Sequence, residues 1–280
     1  MPFVLILSSQ VAASRVGGMA QVLALQPFAI DTALVPTVLF GRHPGWGPPG
    51  GAAVDPAVMA GMLEGIEAQG LFALTDAVIT GYFSTPAQVD VAVDAIGRVR
   101  AANPRALVVV DPILGDEGGG LYVKPEVAAA VRDRLIALAD LITPNRFELG
   151  WLCGEGPPES AEAAQALARR LGKPALVSSI PGGAGEIGVL YAAPGGAWLA
   201  LHARVVTAPN GVGDVLTALF TAALIGGAPP PTALSRAVGA IADLIDAALA
   251  WDAPELPVVA VGNRLVSPTA PVRLHVLSAP

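Results

Sequence analysis

The chain has 280 residues, 53% hydrophobic and 14% charged, with a formal net charge of −7. This composition excludes a disordered chain and calls for a large buried core, while the acidic balance, without any run of basic residues, excludes a nucleic-acid partner. The single cysteine, Cys153, excludes an intrachain disulfide and fits a reducing, cytoplasmic compartment.

From the N-terminus, "FVLILS" reads as a core strand. It is too short for a signal peptide and no basic residues precede it. "GGMAQVLALQPF" is helical, "TALVPTVLF" extended, "AVMAGMLEGIEAQG" helical and "DAVITGY" a strand. "PAQVDVAVDAIGRVRAAN" is a helix with Pro in its first turn, and "ALVVVDP" is a strand ending on an acid. "PEVAAAVRDRLIALA" is helical, and "DLITPN" is a strand stopped by Pro. "SAEAAQALARRLG" is a helix capped by Ser160 and stopped by Gly172. "PALVSS" is the next strand, and "IGVLYAA" and "AWLALHA" pair antiparallel across "PGG". "VLTALFTAALIGG" and "TALSRAVGAIADLIDAALA" are buried helices. No apolar run reaches the roughly 18 residues of a membrane span, so no membrane partner is expected. Strands alternating with helices predict an α/β fold with a parallel sheet covered on both faces, and the absence of a disordered linker predicts one domain over 1–280.

In open parallel sheets, ligands bind beyond the carboxyl ends of the strands. Polar residues stand at such places here: Ser8 and Ser9, Asp111, Thr143 with Asn145, Ser178 and Ser179, and Asp214 ahead of a helix. Five such clusters exceed what capping requires and outline one site. In "PNGVGD", Asn210 and two glycines precede a helix, which exposes backbone N–H groups suited to a phosphoryl group. Asp214 then serves equally well as a helix cap or as the base that takes a hydroxyl proton. Asp111 and Glu148 suit magnesium, whereas the Asn145–Glu148 spacing also suits a capping box. His43, His202 and His275 lie too far apart for a metal motif, and Trp46 in a Gly/Pro loop is either a loop anchor or a stacking cover for a ring.

"DPILGDEGGGLYV", "ITPNRFELGWLCG" and "PNGVGDVLTALF" occur in this order. They resemble the ribokinase-like superfamily, and within it the pyridoxal kinases. Weaker similarity runs back through "ITGY" and "TVLFGRHPGWG" to Ser9 and fades after about residue 250. The resemblance implies a three-layer α/β/α sandwich and a homodimer. It also implies ATP-dependent phosphorylation of the 5′-hydroxymethyl group of pyridoxal with Mg2+, and it allows a monovalent cation. Carried over by position, Asp214 is the catalytic base and Gly211, Val212 and Gly213 form the anion hole. Ser9 and His43 lie near the pyridoxal ring. Asp111, Thr143 and Glu148 take metal–phosphate positions, with Asp111 and Glu148 as the metal acids. Asn145, Asn210, Ser178 and Ser179 lie on the nucleotide side. The ring side departs from the family: Arg15, Gly18 and Met19 stand in "AASRVGGMA", Gln10 replaces a frequent His, and Pro44 follows His43. A hydroxymethylpyrimidine kinase and a non-catalytic vitamin-binding protein on the same fold are the alternatives. An early "GG…N" sugar-reading segment, which a sugar kinase would carry, is absent.

Overall fold

A computed structural model describes residues 1–278, so the last two positions of the expected 1–280 domain lie outside the described residues. Ten strands form one sheet. In chain order they are β1 (Phe3–Val11), β2 (Asp31–Phe40), β3 (Gly51–Ala53), β4 (Ala77–Thr80), β5 (Leu107–Val110), β8 (Leu141–Ile142), β9 (Ala175–Pro181), β10 (Glu186–Ala193), β11 (Gly196–Ala203) and β12 (Arg273–Ser278). The short pair β6 (Gly115–Asp116) and β7 (Gly120–Leu121) stands apart. The spatial order is β12-β11-β10-β9-β8-β5-β4-β1-β2-β3. The strands from β2 to β9 run parallel, and β3, β10, β11 and β12 add antiparallel edges.

Alternation along the strands divides the core into two layers. On β1, Leu5 and Leu7 face one layer while Val4 and Ile6 face the other. The first layer is closed by α2 (Pro56–Ala68), α4 (Pro86–Ala102), α5 (Pro125–Ala130), α6 (Arg146–Leu152) and α7 (Ala161–Leu171), through residues such as Met59, Ile96, Val127, Leu149 and Leu167. The short α3 (Leu71–Leu74) follows α2. The second layer is closed by α1 (Gly17–Leu25), α8 (Val212–Ile225), α9 (Pro230–Ala250) and α10 (Asn263–Val266), through Leu25, Phe220, Leu244 and Leu265. Both faces are therefore dry, which is why the central strands read as unbroken apolar runs such as "LVVV".

Caps set the helix starts. Asp55 Oδ1 accepts from Ala57 N at the head of α2, and Thr85 Oγ1 accepts from Gln88 N on α4. Ser160 Oγ accepts from Ala163 N on α7, and Gly172 ends that helix in the left-handed region at φ 66°, as its sequence implies. The expected helix over 125–139 is one helical segment of changing pitch: α5 passes into a π turn at Val131–Leu135 and a 3-10 turn at Ile136–Leu138. Sequence periodicity does not single out β3, β6, β7 or β12, because each is short and owes its conformation to a neighbouring backbone. Among the described residues, no helix is long and apolar enough to cross a membrane.

Candidate active site

Parallel strands place their carboxyl ends along one edge of the sheet; Asp111 and Thr143 directly follow β5 and β8 there, Ser9 lies in the carboxyl-terminal half of β1, and Ser178 lies midway along β9. The first turn of α8 adds Asp214. Two adjoining cavities open at this edge. One, of about 470 Å³, is lined by Ser9, Val38, Phe40, His43, Tyr82 and Gly17. The other, of about 440 Å³, is lined by Asp111, Thr143, Asn145, Glu148, Ser178 and Ser179. Asp214, Asn210, Gly211, Ile113, Asp116 and Tyr122 belong to both.

Asp214 does not cap its helix. Gly211 is the N-cap residue, at φ 91°, and Asp214 is the third helical residue with no capping bond. Its Oδ2 instead accepts from Gly17 N, 2.8 Å away at the head of α1. Its Oδ1 is enclosed and has no hydrogen-bond partner. Burial raises this carboxyl from 3.8 to about 6, against the lowering effect of the Gly17 N–H. The α8 ladder begins with Val215 N donating to Gly211 O at 3.0 Å, so the N–H groups of Val212, Gly213 and Asp214 precede it. An anion lying beside Asp214 would meet these groups and the positive end of a fourteen-residue helix.

Thr217, one turn on from Asp214, joins the two strand-end residues. Its Oγ1 donates to Asp111 Oδ2 at 3.0 Å and lies 2.9 Å from Thr143 Oγ1. A hydroxyl has one proton, so Thr143 is the donor in the second pair. Asp111 is buried. Burial first, then the charges of Glu148 and Asp214, push its carboxyl well above the usual range.

Asn145 and Glu148 form the capping box that their spacing allows. Asn145 Oδ1 accepts from Glu148 N, and Glu148 Oε2 accepts from Asn145 N, both at 2.9 Å. Glu148 Oε1 also accepts from Leu114 N at 2.7 Å, and Asn145 Nδ2 donates to Gly115 O at 2.8 Å. The box therefore holds the 113–116 turn against α6. Burial lifts the Glu148 carboxyl to about 7 although these N–H groups oppose it. In the same turn, Ile113 stands at φ 42°, a conformation that β-branched residues rarely hold, and it lines both cavities. Ser178 is tied to the same region, its N donating to Pro144 O at 3.1 Å, and the exposed Ser179 beside it stands at φ 64° and lines the same cavity.

His43 is half-buried. Its Nδ1 accepts from Gly45 N at 3.1 Å, which leaves the proton on Nε2, and its ring lies 5.5 Å from that of Trp46. His43 caps the 3-10 turn that Pro44 opens and Trp46 ends.

The second cavity is lined by Asp111, Asp116, Glu148 and Asp214 and by no Lys or Arg. His202, its one other ionisable lining group apart from Tyr122, is held below its ordinary value by burial. Among the described residues no cluster of three or more His, Cys, Asp or Glu is close enough to hold a metal by itself. Buried carboxylates that repel one another fit a magnesium ion held partly by waters and substrate phosphates, which needs only one or two protein acids.

The Phosphomethylpyrimidine kinase family model matches residues 64–259. A curated pyridoxal kinase of Leifsonia xyli is 37% identical over 262 residues, covering 91% of this chain and 93% of that protein. One of Rubrobacter xylanophilus is 35% identical over 280 residues, covering 98% and 96%. The chain belongs to the pyridoxal kinase family. A solved pyridoxal kinase of Leishmania donovani, in complex with ADP and pyridoxamine, superposes with a TM-score of 0.92 at 26% identity, over 99% of this chain and 100% of that one. The pyridoxal kinase similarity thus continues through α9, β12 and the segment between them, beyond the residue-250 limit expected from motifs.

That C-terminal segment pairs by backbone with the α8 entrance at Asn210. Glu255, Gly17, Thr217 and Tyr122 are residues that motif reading does not find. Thr217 is findable from its i, i+3 spacing to Asp214, and Gly17 from the doubled glycine. Glu255 carries no local signal.

Proposed function

We propose that the chain is an ATP-dependent kinase that phosphorylates the 5′-hydroxymethyl group of pyridoxal or a related vitamin B6 vitamer. The observation that carries this is Asp214, a carboxylate with one unpartnered oxygen at the junction of two cavities. One cavity has apolar walls and suits a ring; the other is acidic and opens onto a helix N-terminus.

Asp214 Oδ1 takes the proton from the 5′-hydroxyl as that oxygen attacks the γ-phosphorus. The new O–P bond forms as the bond from the γ-phosphorus to the bridging oxygen breaks, and ADP leaves. The Gly211–Gly213 backbone faces the phosphoryl oxygens as an anion hole. Ser9 and His43 border the ring, with His43 Nε2–H as a donor. Asp111, Thr143, Asn145, Glu148, Ser178, Ser179 and Asn210 border the nucleotide. Asn145 and Glu148 also shape the turn that closes its cavity. Asp111 and Glu148 would hold magnesium, which when bound neutralises charge between the β- and γ-phosphates. A monovalent cation, which the family resemblance allows, would add positive charge at the acidic cavity. We take the whole chain as one kinase domain, cytoplasmic because of its free Cys153, and a homodimer.

The description of the matching family model favours one second reading, a hydroxymethylpyrimidine kinase. A coupled ATP-turnover assay with pyridoxal, pyridoxine, pyridoxamine and hydroxymethylpyrimidine separates the two. Turnover of the vitamers is expected. Turnover of the pyrimidine alone would move the chain to the second reading, and no turnover with tight vitamer binding would make it a binding protein.

A further inference from the structure

Three segments far apart in sequence meet beside Asp214. The β1–α1 loop, residues 14–17, supplies the Gly17 N–H that holds Asp214 Oδ2. The α8 entrance, 210–214, touches this loop directly: a Cβ added at Gly211 would lie 2.7 Å from Arg15 O. The third segment, 254–256, pairs with the α8 entrance by backbone, Asn210 N donating to Pro254 O at 3.0 Å and Leu256 N to Asn210 O at 3.2 Å.

Glu255 closes this ring. It is buried, and its two oxygens are divided between two donors of the β1–α1 loop. Oε1 accepts from the Ser14 hydroxyl, and Oε2 accepts from Arg15 N at 2.8 Å. The exposed Arg15 guanidinium approaches Oε2 only to 3.9 Å, so the backbone bond is the closer tie. A buried carboxylate costs stability unless its hydrogen bonds are made, and every hydrogen-bond donor Glu255 has lies in this one loop. A hydrophobic residue would fill the same space, but it could not accept from a hydroxyl and an amide at once.

We propose that Glu255 is a positioning residue for phosphoryl transfer, locking the 14–17 loop so that Gly17 aims Asp214 and Gly211 holds its place in the anion hole. It acts through Arg15 and Gly17 on the base, and through the Arg15 carbonyl packed on Gly211 at the α8 entrance. The precision that reacting groups need comes from such supporting contacts.

The kinetic part of the test rests on the kinase reading proposed above; a second part does not. Glu255→Ala is expected to lower kcat about tenfold or more while the KM for ATP moves less than about threefold, because the nucleotide end of the site is untouched. Glu255→Gln, whose amide oxygen still accepts the Arg15 N–H, is expected to keep about a third or more of wild-type kcat. Combined with Asp214→Asn, Glu255→Ala should cost less than the product of the two single losses, because both act on one group. Independently of any activity, Gly17 amide exchange should be about tenfold faster or more in Glu255→Ala, with β4 and β5 amides unchanged. Folded Glu255→Ala protein with wild-type kcat and Gly17 exchange overturns the proposal. So does a loss in which kcat and both KM values move only in step with Tm. Should Glu255→Ala not fold, Ser14→Ala decides: faster Gly17 exchange supports the proposal and unchanged exchange overturns it. A wild type inactive on every vitamer would sink the kinase reading and leave the exchange test standing.

Discussion

Asp214 carries a conflict between stability and chemistry. Its Oδ1 is buried without a partner and its carboxyl sits at about 6 rather than 3.8. A native-state acid with a raised value binds its proton more readily folded than unfolded. Its charge therefore destabilises the fold fully above pH 6, and the penalty fades as pH falls toward 4. Asp214→Asn removes the charge but keeps an oxygen for Gly17 N–H. We expect a Tm at or above wild type at pH 8, with the difference shrinking toward pH 4. Because Asn cannot take the hydroxyl proton, kcat should fall by about 10²–10⁴ with KM nearly unchanged. In the wild type, kcat/KM should decline below about pH 6, where the base becomes protonated. Asp214→Asn protein that keeps more than about a third of kcat would remove the base role. Glu148 has a double duty, and Glu148→Gln separates its parts. Gln keeps one acceptor oxygen, so one of the two bonds that Glu148 accepts, from Asn145 N or from Leu114 N, is lost, which costs about 1 kcal/mol in a denaturation curve. The magnesium concentration for half-maximal rate should also rise, and EDTA should abolish turnover in both proteins. An unchanged magnesium curve would leave Glu148 with its capping role alone.

At the scale of elements, the head of α1 lies unusually close to β1. Gly17 stands at φ 59°, and a Cβ there would come within 2.0 Å of Ser9 Oγ and 2.8 Å of Ser9 O. At Gly18 a Cβ would meet Leu34 Cδ1 at 2.3 Å. The two glycines of "RVGGMA" are therefore what lets α1 seat against β1 and β2 and deliver the Gly17 N–H to Asp214. Gly17→Ala is expected to destabilise by at least about 1–2 kcal/mol from the left-handed conformation alone. It should also lower kcat, since α1 must move away from Ser9. Denaturant midpoint and kcat measured together test this; an unchanged midpoint would contradict the seating described here. The capping box of α6 is a second device of this kind, fixing the 113–116 turn between the two cavities.

Among the described residues ten strands form one sheet with two dry faces, and charged residues make up only 14% of the chain. Val58, Met62 and Leu74 stand exposed on α2 and α3. Exposed apolar side chains close together favour burial against a partner. Sedimentation at micromolar concentration should give about twice the 28.2 kDa chain mass. A mass equal to one chain would remove the dimer.

Hydrophobic periodicity and punctuation by Pro and Gly are local properties, so the sequence alone determined the order of strands and helices. It also determined the Ser160 and Gly172 ends of α7, the antiparallel pair β10–β11, and the three motifs at the carboxyl edge. Local spacing could not choose between capping and catalysis for Asp214 or Glu148, because either residue type serves both. The tertiary structure shows Asp214 free of any cap, its partner Gly17 lying 197 residues away in the chain, while Glu148 does cap. Short strands such as β3 and β12, and the tie between Glu255 and residues 14–15, were likewise invisible. Their hydrogen bonds exist only once distant segments have packed, and a buried polar group takes whatever partner that packing supplies.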